Sequence, residues 1–396
     1  MKIDFATAMG RVLEQVRAGD LGLATRTIQA ALAPRAGTAA SAGPREETPA
    51  GLRPRLPPPG IDEAEIIEDR PRARPEAHPA PQPAHPPRRS LREVVAALSR
   101  IKRPSWPQAA PEREIAVPPG ARFESRSFSG VHGARDYRLY IPAALPEGGR
   151  GLVLMLHGCT QDAADFAAGT RMNEQAERQG LLVVYPNQTR HHNAQGCWNW
   201  FRPTDQRAEA GEPALLAGLV RAVAAEFAVE PGRIFVAGLS AGGAMAATLA
   251  ATHPELFAAA GIHSGLPHGA AHDVISAFAA MRGEVRPPTT AGAAVPTIVF
   301  HGTADTTVHP ANAEAILAAI AGPGQGPRQT ERGRAADGRG YLRETVPGPD
   351  GQTLAELWRI EGAGHAWSGG APGASYTDPS GPDASAEMIR FFLQAR

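Results

Sequence analysis

Residues 233–245 read RIFVAGLSAGGAM, and this stretch decides the fold. The apolar run at its start predicts a buried strand, a Gly-x-Ser-x-Gly turn follows, and the small residues after it favour a helix. A sharp turn between strand and helix exposes the hydroxyl of Ser240, and the flanking glycines relieve the crowding of such a turn. The helix N-terminus favours negative charge that develops beside the serine. The five-letter pattern is weak alone, but its place between a strand and a helix predicts a nucleophilic serine.

A serine nucleophile needs a base that takes its proton and an acid that orients the base. On a strand-turn-helix scaffold of this kind they follow in the chain order Ser, then Asp or Glu, then His. Asp305 lies in the loop after the apolar strand TIVF, and His365 lies in the segment GAGHAWS before the last helix. We therefore predict Asp305 as the acid and His365 as the base. His309 is the rival base, Asp273 is a weaker alternative acid, and His301 is expected to brace the turn.

Attack of a serine on a carbonyl group creates an oxyanion, which needs two fixed N–H donors. The amide of Ala241, directly after the serine, is the first predicted donor. Residues 152–161 read LVLMLHGCTQ, an apolar strand followed by a turn whose glycine permits close approach of the backbone. We predict the Cys159 amide as the second donor, with the Thr160 amide in reserve.

Three aromatic residues crowd the segment CWNWF at 197–201, in a predicted loop with no obvious core to enter. We predict that Trp198, together with Trp367 beside the predicted base, faces the substrate and forms an apolar wall. The two cysteines of the chain, Cys159 and Cys197, exclude a disulfide-rich scaffold and a four-cysteine zinc site. A disulfide between them and a pair of buried free thiols agree equally well with the sequence.

From residue 112 to residue 396, short apolar runs alternate with helical stretches, which is the pattern of an α/β domain. Strands are predicted at residues 122–128, 136–141, 152–156, 181–185, 233–237, 258–262, 297–300 and 356–360. Helices are predicted at residues 162–179, 213–228, 241–252, 311–321 and 384–394. The first two strands are expected to pair antiparallel.

The chain before residue 112 has a different composition. Residues 1–33 predict a small helical hairpin, which buries too little area alone and must pack on the main domain, a second copy or another protein. Residues 34–88 contain 14 prolines in 55 residues and predict a disordered linker. Residues 89–111 include the capping-box pattern SLRE and predict a docking helix and a connector.

The composition of the chain excludes several classes of protein. It has 396 residues, with 40 Lys plus Arg against 40 Asp plus Glu, so no global basic field attracts nucleic acid or an anionic membrane. A content of 42% hydrophobic residues excludes a wholly disordered protein. No apolar run approaches about 18 residues, so no membrane span is predicted. The N-terminus lacks the apolar stretch and cleavage site of a secretory leader, so we expect a cytoplasmic start.

Several motifs in the right order resemble the polyhydroxybutyrate depolymerase family of esterases, relatives of the acetylxylan and feruloyl esterases. The motifs are HGCTQ at 157–161, YPNQ at 185–188, CWNW at 197–200, GLSAGGAM at 238–245 and GHAWSGG at 364–370. The resemblance covers residues 115–395. It implies an α/β-hydrolase fold with a mostly parallel central sheet flanked by helices, hydrolysis of carboxylic esters, and the triad Ser240, Asp305 and His365. Many members are secreted, so an extracellular location is the alternative to the cytoplasmic start, although this chain departs from those members in lacking a recognisable export signal.

We therefore expect a serine esterase, without a cofactor or a metal site, that acts on carboxylic esters. The expected substrates are short-chain hydroxyalkanoate polyesters or oligomers, or esters of acetyl or feruloyl type. One alternative is a serine peptidase on the same fold. The other is a granule-associated or scaffold protein with a vestigial hydrolase domain, whose residues 1–33 bind a protein or granule partner.

Overall fold

The computed structural model describes residues 115–284, 295–322, 328–336 and 338–394. The hairpin predicted at 1–33, the linker at 34–88 and the docking helix at 89–111 lie outside the described residues and stay predictions. The predicted catalytic domain is described from residue 115 onward. Among the helices of this described part, none combines the length and hydropathy that crossing a bilayer requires.

A central sheet of ten strands organises the described residues. Its strands are β1 (Arg122–Gly130), β2 (Gly133–Ile141), β3 (Gly151–Leu156), β4 (Leu181–Pro186), β5 (Ile234–Leu239), β6 (Ala259–His263), β7 (Thr297–Gly302), β8 (Gln329–Arg334), β9 (Gly340–Pro347) and β10 (Thr353–Ile360). Their order across the sheet is β1-β2-β4-β3-β5-β6-β7-β10-β9-β8. The strands from β4 to β10 in this order run parallel, and antiparallel strands extend both edges. The mostly parallel sheet predicted from the sequence is therefore confirmed.

Helices pack on both faces of this sheet. They are α1 (Ala163–Thr170), α2 (Met172–Gln179), α3 (Gly211–Glu226), α4 (Ala241–Thr252), α5 (Val274–Met281), α6 (Ala311–Ala321) and α7 (Ala384–Gln394). Side chains alternate between the faces along β3: Leu152, Leu154 and Leu156 pack with α3 and α4, while Val153 and Met155 pack with α1, α2 and α7. Because both faces are covered, the parallel strands are continuous apolar runs.

Three elements differ from the sequence prediction. The helix expected over 162–179 is divided into α1 and α2, because Arg171 between them adopts a left-handed φ of 55°. The hairpin of β8 and β9 was not predicted, since the residues of β8, QTERGR, are polar and mostly exposed. Helix α5 was not predicted either; it begins at a capping box formed by Asp273.

The parallel strands bring four loops to one edge of the sheet. The turns after β3, β5, β7 and β10 carry the HGC segment, Ser240, Asp305 and His365 respectively. Ligands of open α/β sheets bind in the crevice at the carboxyl ends of the strands. The candidate site therefore lies at this edge.

Candidate active site

Ser240 occupies a sharp turn between β5 and α4. Its backbone has φ of 58° and ψ of −119°, a conformation that is costly for a residue with a side chain. The Ser240 amide donates to the carbonyl of His263 at 2.9 Å and holds the turn. A Cβ on Gly242 would overlap the carbonyl of Leu156, and one on Gly238 would overlap the backbone of Gly242. The two glycines therefore let α4 begin directly against the ends of β3 and β5, with Ser240 half-buried.

Asp305 and His365 are joined by a hydrogen bond of 2.7 Å between Nδ1 of the imidazole and Oδ2 of the carboxylate. The other carboxylate oxygen, Oδ1, accepts the amides of Thr307 and Val308 at 2.9 Å each. These contacts give the carboxylate a single orientation. Because Nδ1 of His365 is engaged, Nε2 is the ring nitrogen left for proton transfer.

The electrostatic surroundings keep Asp305 ionised. Burial by itself raises the pKa of this carboxyl group, but contacts with His301 and His365 outweigh it and hold the pKa well below its usual range. His301 donates from Nε2 to the carbonyl of Val308 at 2.8 Å and lies 3.5 Å from Oδ2 of Asp305. It therefore braces the turn in the way the sequence suggested.

The rival residues have other roles in the described structure. Nδ1 of His309 accepts the amide of Ala311 at 3.1 Å, at the start of α6. Asp273 is exposed and accepts the amide of Ser276 at 2.7 Å, which caps α5. Asp305 is thus the carboxylate that contacts His365, and neither rival enters this pair.

The strand order brings Ser240 to the same edge of the sheet as the Asp305–His365 pair. His263, at the end of the intervening strand β6, accepts the Ser240 amide on its carbonyl and the amide of Ser368 on Nε2, the latter at 3.0 Å. Burial and the nearby rings of His301 and His365 hold the pKa of His263 well below its usual value, so this ring is a neutral support. Among the described residues, the hydroxyl of Ser240 has no hydrogen-bond partner. The structure therefore joins Asp305 to His365 and leaves Ser240 unbonded to the imidazole.

Within the part of the chain that the structure describes, the N–H groups of the two predicted oxyanion donors have no backbone acceptor. Ala241 is the first residue of α4, so its amide has no acceptor within the helix. Among the described residues, neither this amide nor that of Cys159 donates to a backbone carbonyl. The Thr160 amide, the reserve donor, instead donates to the carbonyl of Gln195 at 3.1 Å. The backbone amides of Cys159 and Ala241 therefore remain the candidate oxyanion donors.

A disulfide fixes the turn that carries Cys159. Its sulfur is bonded to that of Cys197 at 2.05 Å, which decides between the two alternatives that the sequence left open. The next residue, Trp198, donates from Nε1 to the carbonyl of His157 at 3.0 Å. The segment 197–201 is therefore attached to the turn after β3 by a covalent bond and a hydrogen bond.

His157 provides a further attachment of the same turn. Its Nε2 accepts the amide of Gln188 at 3.0 Å, so the ring proton is on Nδ1, which donates to the carbonyl of Gly158 at 2.8 Å. Burial lowers the pKa of His157, in agreement with a neutral ring. The histidine of the HGC segment therefore supports the backbone and is not a second base.

The expectation that Trp198 and Trp367 face the substrate does not agree with their positions. Their exposed fractions are 0% and 1%. Trp367 donates from Nε1 to Oγ of Ser385 at 3.1 Å and stacks on the ring of His263, with centroids 5.1 Å apart. Because each indole N–H has a partner inside the protein, both rings fill space beneath the loops. They support the site and do not line it.

A buried carboxylate, Glu212, positions the loop that follows Cys197. Its oxygens accept the backbone amide of Asn199 at 2.7 Å, the side-chain amide of Asn199 at 2.9 Å and the side chain of Gln188. The guanidinium of Arg135 lies 3.6 Å away. Burial raises the pKa of Glu212, although the Asn199 amide and Arg135 oppose the shift. Sequence reasoning missed this residue, because a glutamate in the first turn of a helix is usually solvated.

Tyr376 is a second residue that sequence reasoning missed. Its hydroxyl lies 3.2 Å from Oγ1 of Thr160, and its ring centroid lies 6.5 Å from that of His365. The available signal was an aromatic residue in a segment of small residues shortly after the predicted base. Nothing in its spacing indicated that it would reach the turn after β3.

Comparisons with known proteins find relatives named as depolymerases and esterases. Residues 135–322 match the family described as Esterase PHB depolymerase. Poly(3-hydroxyalkanoate) depolymerase C of Paucimonas lemoignei is 32% identical over 239 residues, which are 57% of this chain and 57% of that protein. Probable acetylxylan esterase A of Aspergillus fumigatus is 28% identical over 225 residues, 52% of this chain and 60% of that protein. The chain thus spans less than two thirds of the length of these relatives.

A solved structure supports the assignment of the fold. The acetyl xylan esterase from Aspergillus awamori superimposes with a TM-score of 0.55 at 22% sequence identity, covering 69% of this chain and 100% of that one. At this identity the likeness concerns the fold alone. It confirms the α/β-hydrolase architecture predicted from the sequence.

Proposed function

We propose that this chain, a polyhydroxybutyrate depolymerase-like member of the α/β-hydrolase superfamily, is a serine esterase that hydrolyses carboxylic esters through an acyl-enzyme intermediate. The observation that carries the proposal is the hydrogen bond of 2.7 Å between Asp305 and His365, at the sheet edge where the strained turn exposes Ser240. A carboxylate, an imidazole and a serine in this chain order are the parts of a serine hydrolase.

The proposed reaction has two half-reactions. Oγ of Ser240 attacks the ester carbonyl carbon while its proton passes to Nε2 of His365. The amides of Cys159 and Ala241 donate to the resulting oxyanion. The intermediate then breaks the bond to the alcohol oxygen, which leaves with the proton from His365. Water then attacks the acyl carbon and gives a proton to Nε2 of His365; the bond from this carbon to Oγ of Ser240 breaks, Oγ takes the proton from His365, and the carboxylic acid is released.

Asp305 has a supporting role in both half-reactions. As an ionised acceptor it keeps one imidazole proton on Nδ1, so that Nε2 of His365 has a free lone pair in the resting state. It also stabilises the imidazolium that forms when Ser240 loses its proton. The hydrogen bond between Oγ of Ser240 and Nε2 of His365 is expected to form when substrate binds, since catalytic hydrogen bonds are often long or poorly aligned in the absence of substrate.

The relatives indicate the class of ester. Their names refer to poly(3-hydroxyalkanoate) and to acetylxylan. We therefore infer short-chain acyl esters as substrates, either hydroxyalkanoate oligomers and polyesters or acetyl groups on a polysaccharide. Rates on hydroxybutyrate oligomers, acetylated xylan and peptide amides, measured side by side, separate these classes and test the peptidase alternative.

Substitution of the nucleophile tests the proposed mechanism. Ser240→Ala is expected to lower kcat for p-nitrophenyl butyrate by about 10⁴-fold or more, because no other group replaces the attacking oxygen. Labelling by a fluorophosphonate probe should disappear in the same variant. The control is Ser127→Ala, which removes an exposed hydroxyl from β1 and should leave both readouts unchanged. Retained hydrolysis or labelling in Ser240→Ala would refute the assignment.

A further inference from the structure

We propose that Thr160 and Tyr376 form a subsite for the alcohol half of the ester and donate one hydrogen bond to an oxygen atom of that alcohol. This inference rests on the proposed esterase function. The contact between the two hydroxyl groups connects the turn that carries the Cys159 amide to the segment that follows His365. The two residues are 216 positions apart in the chain. Both residues are exposed, Tyr376 to 45%.

The geometry around the reacting carbon assigns the pair to the alcohol half. In the tetrahedral intermediate the oxyanion points to the Cys159 and Ala241 amides, and the alcohol oxygen must point to Nε2 of His365, from which it takes a proton. Tyr376 lies next to both the oxyanion turn and the imidazole. Its hydroxyl is hydrogen-bonded to Thr160, the residue after Cys159, and its ring lies edge-on to that of His365 with centroids 6.5 Å apart. The acyl substituent is directed away from both. The part of the substrate that passes Tyr376 is therefore the alcohol.

One of the two hydroxyl groups keeps a proton that is free to donate a further hydrogen bond. The two oxygens are 3.2 Å apart, and whichever hydroxyl donates, the proton of the other stays free. Among the described residues, neither hydroxyl has another hydrogen-bond partner. A hydroxyl that is itself engaged as an acceptor or donor in such a chain binds a further group more strongly. The pair therefore favours alcohols with an acceptor oxygen, such as the carbonyl of a neighbouring hydroxyacyl unit or a sugar oxygen.

The segment that carries Tyr376 is held rigidly enough to act as a recognition element. The carbonyl of Tyr376 accepts the amide of Trp367 at 2.7 Å, and the residue has a left-handed φ of 50°. The adjacent Ser375 accepts Nε2 of Gln161 on Oγ at 2.9 Å and also contacts Asp165. Gln161 in turn accepts the amide of Gly158. The ring of Tyr376 is thus displayed on a backbone that is fixed to the oxyanion turn.

Matched esters that differ by one atom test this subsite. Butyl pentanoate and 2-methoxyethyl pentanoate have the same acyl group, and the second carries an ether oxygen in place of a methylene group of the alcohol. The ratio of their kcat/KM values is measured for the wild type and for Thr160→Val/Tyr376→Phe, which removes both hydroxyl groups. Intrinsic differences in ester reactivity cancel when the ratios of two enzymes are compared. The variant is expected to lower the preference for the methoxyethyl ester about three- to tenfold, the range for one hydrogen bond, and each single substitution to give an intermediate ratio.

Two controls make the result specific. Butyl 3-methoxypropanoate places the ether oxygen in the acyl group, so its ratio to butyl pentanoate should be the same in both enzymes. Tyr341→Phe removes a phenol hydroxyl from β9, a residue that pairs with Ile360 of β10 and has no contact with Thr160 or Tyr376, and should leave both ratios unchanged. An unchanged alcohol ratio in the double variant, with esterase activity present, overturns the subsite and leaves the proposed function standing. A change confined to the acyl ratio overturns the assignment to the alcohol half. A wild type that neither hydrolyses esters nor labels at Ser240 refutes the proposed function, and the subsite with it.

Discussion

The disulfide between Cys159 and Cys197 is expected to stabilise the folded domain substantially. It closes a loop across a sequence separation of 38 residues. In the chain-entropy treatment, closing a loop of this length removes about 13 cal/mol/K from the unfolded ensemble, or roughly 4 kcal/mol at 25 °C. The variant Cys159→Ala/Cys197→Ala should therefore lose about 3–4 kcal/mol of unfolding free energy.

Urea denaturation followed by circular dichroism measures this loss. At the usual entropy of unfolding for a domain of more than 150 residues, it corresponds to a fall in Tm of about 10 °C. Treatment of the wild type with dithiothreitol should reproduce the shift, and the same treatment should leave the double variant unchanged. A loss below about 1 kcal/mol would show that other contacts, such as the bond from Trp198 to His157, already fix the turn.

The same variant also tests whether the disulfide positions the Cys159 amide, the proposed oxyanion donor. Alanine keeps the backbone amide of residue 159, so a change in kcat reports on its placement. We expect kcat to fall, with an upper limit of about 10²–10³-fold, the cost of removing one donor completely. An unaltered kcat together with the expected loss of stability would restrict the disulfide to a structural role.

Three further predictions concern buried carboxylates. In Asp305→Asn, the side-chain oxygen must accept the two backbone amides that bind Oδ1 in the wild type, so the NH₂ group faces Nδ1 of His365. This contact selects the wrong tautomer of the imidazole. We expect kcat to fall by about 10⁴-fold, with an unchanged circular dichroism spectrum. The pKa of Asp305 is lower in the folded state than in the unfolded state. Its ionised form therefore stabilises the fold fully above about pH 4, and this stabilisation is lost as the pH falls towards the folded pKa. The Tm measured from pH 2 to 6 should show this dependence in the wild type and less of it in Asp305→Asn. Glu212→Ala leaves the buried guanidinium of Arg135 without its carboxylate and should cost about 3–5 kcal/mol in urea denaturation, whereas Glu226→Ala, which removes an exposed ion pair, should cost less than about 1 kcal/mol.

The parallel core of the sheet was predictable because its strands are short apolar runs that both helical layers cover. The residues of β3 to β7 are buried along their whole length, so hydrophobicity alone identifies them. The β8–β9 hairpin escaped prediction because it is an edge extension, and its polar residues carry no such signal. The break at Arg171 also escaped, because the left-handed residue itself is an arginine, and the nearby Gly169 lies within α1.

The candidate site was predictable where chemistry requires particular residue types in a fixed chain order. Asp305 and His365 follow from that order together with their places after strands. The burial of Trp198 and Trp367 was not predictable, because an aromatic residue in a loop has the same sequence signature whether it lines a cleft or fills the space below it. Tyr376 depends on a contact across more than half of the chain, which local patterns do not encode.

The route of the chain through the site has a consequence for synthesis on the ribosome. The turn of Ser240, the proposed nucleophile, can form once β3, β5 and β6 have emerged. The imidazole of His365 emerges later, and the contacts of Ser375 and Tyr376 with the turn after β3 form later still. A nascent chain thus holds an unactivated hydroxyl for the translation of more than a hundred further codons. In the proposed mechanism, the serine becomes reactive only after residue 365 has emerged, when contacts of high sequence separation close.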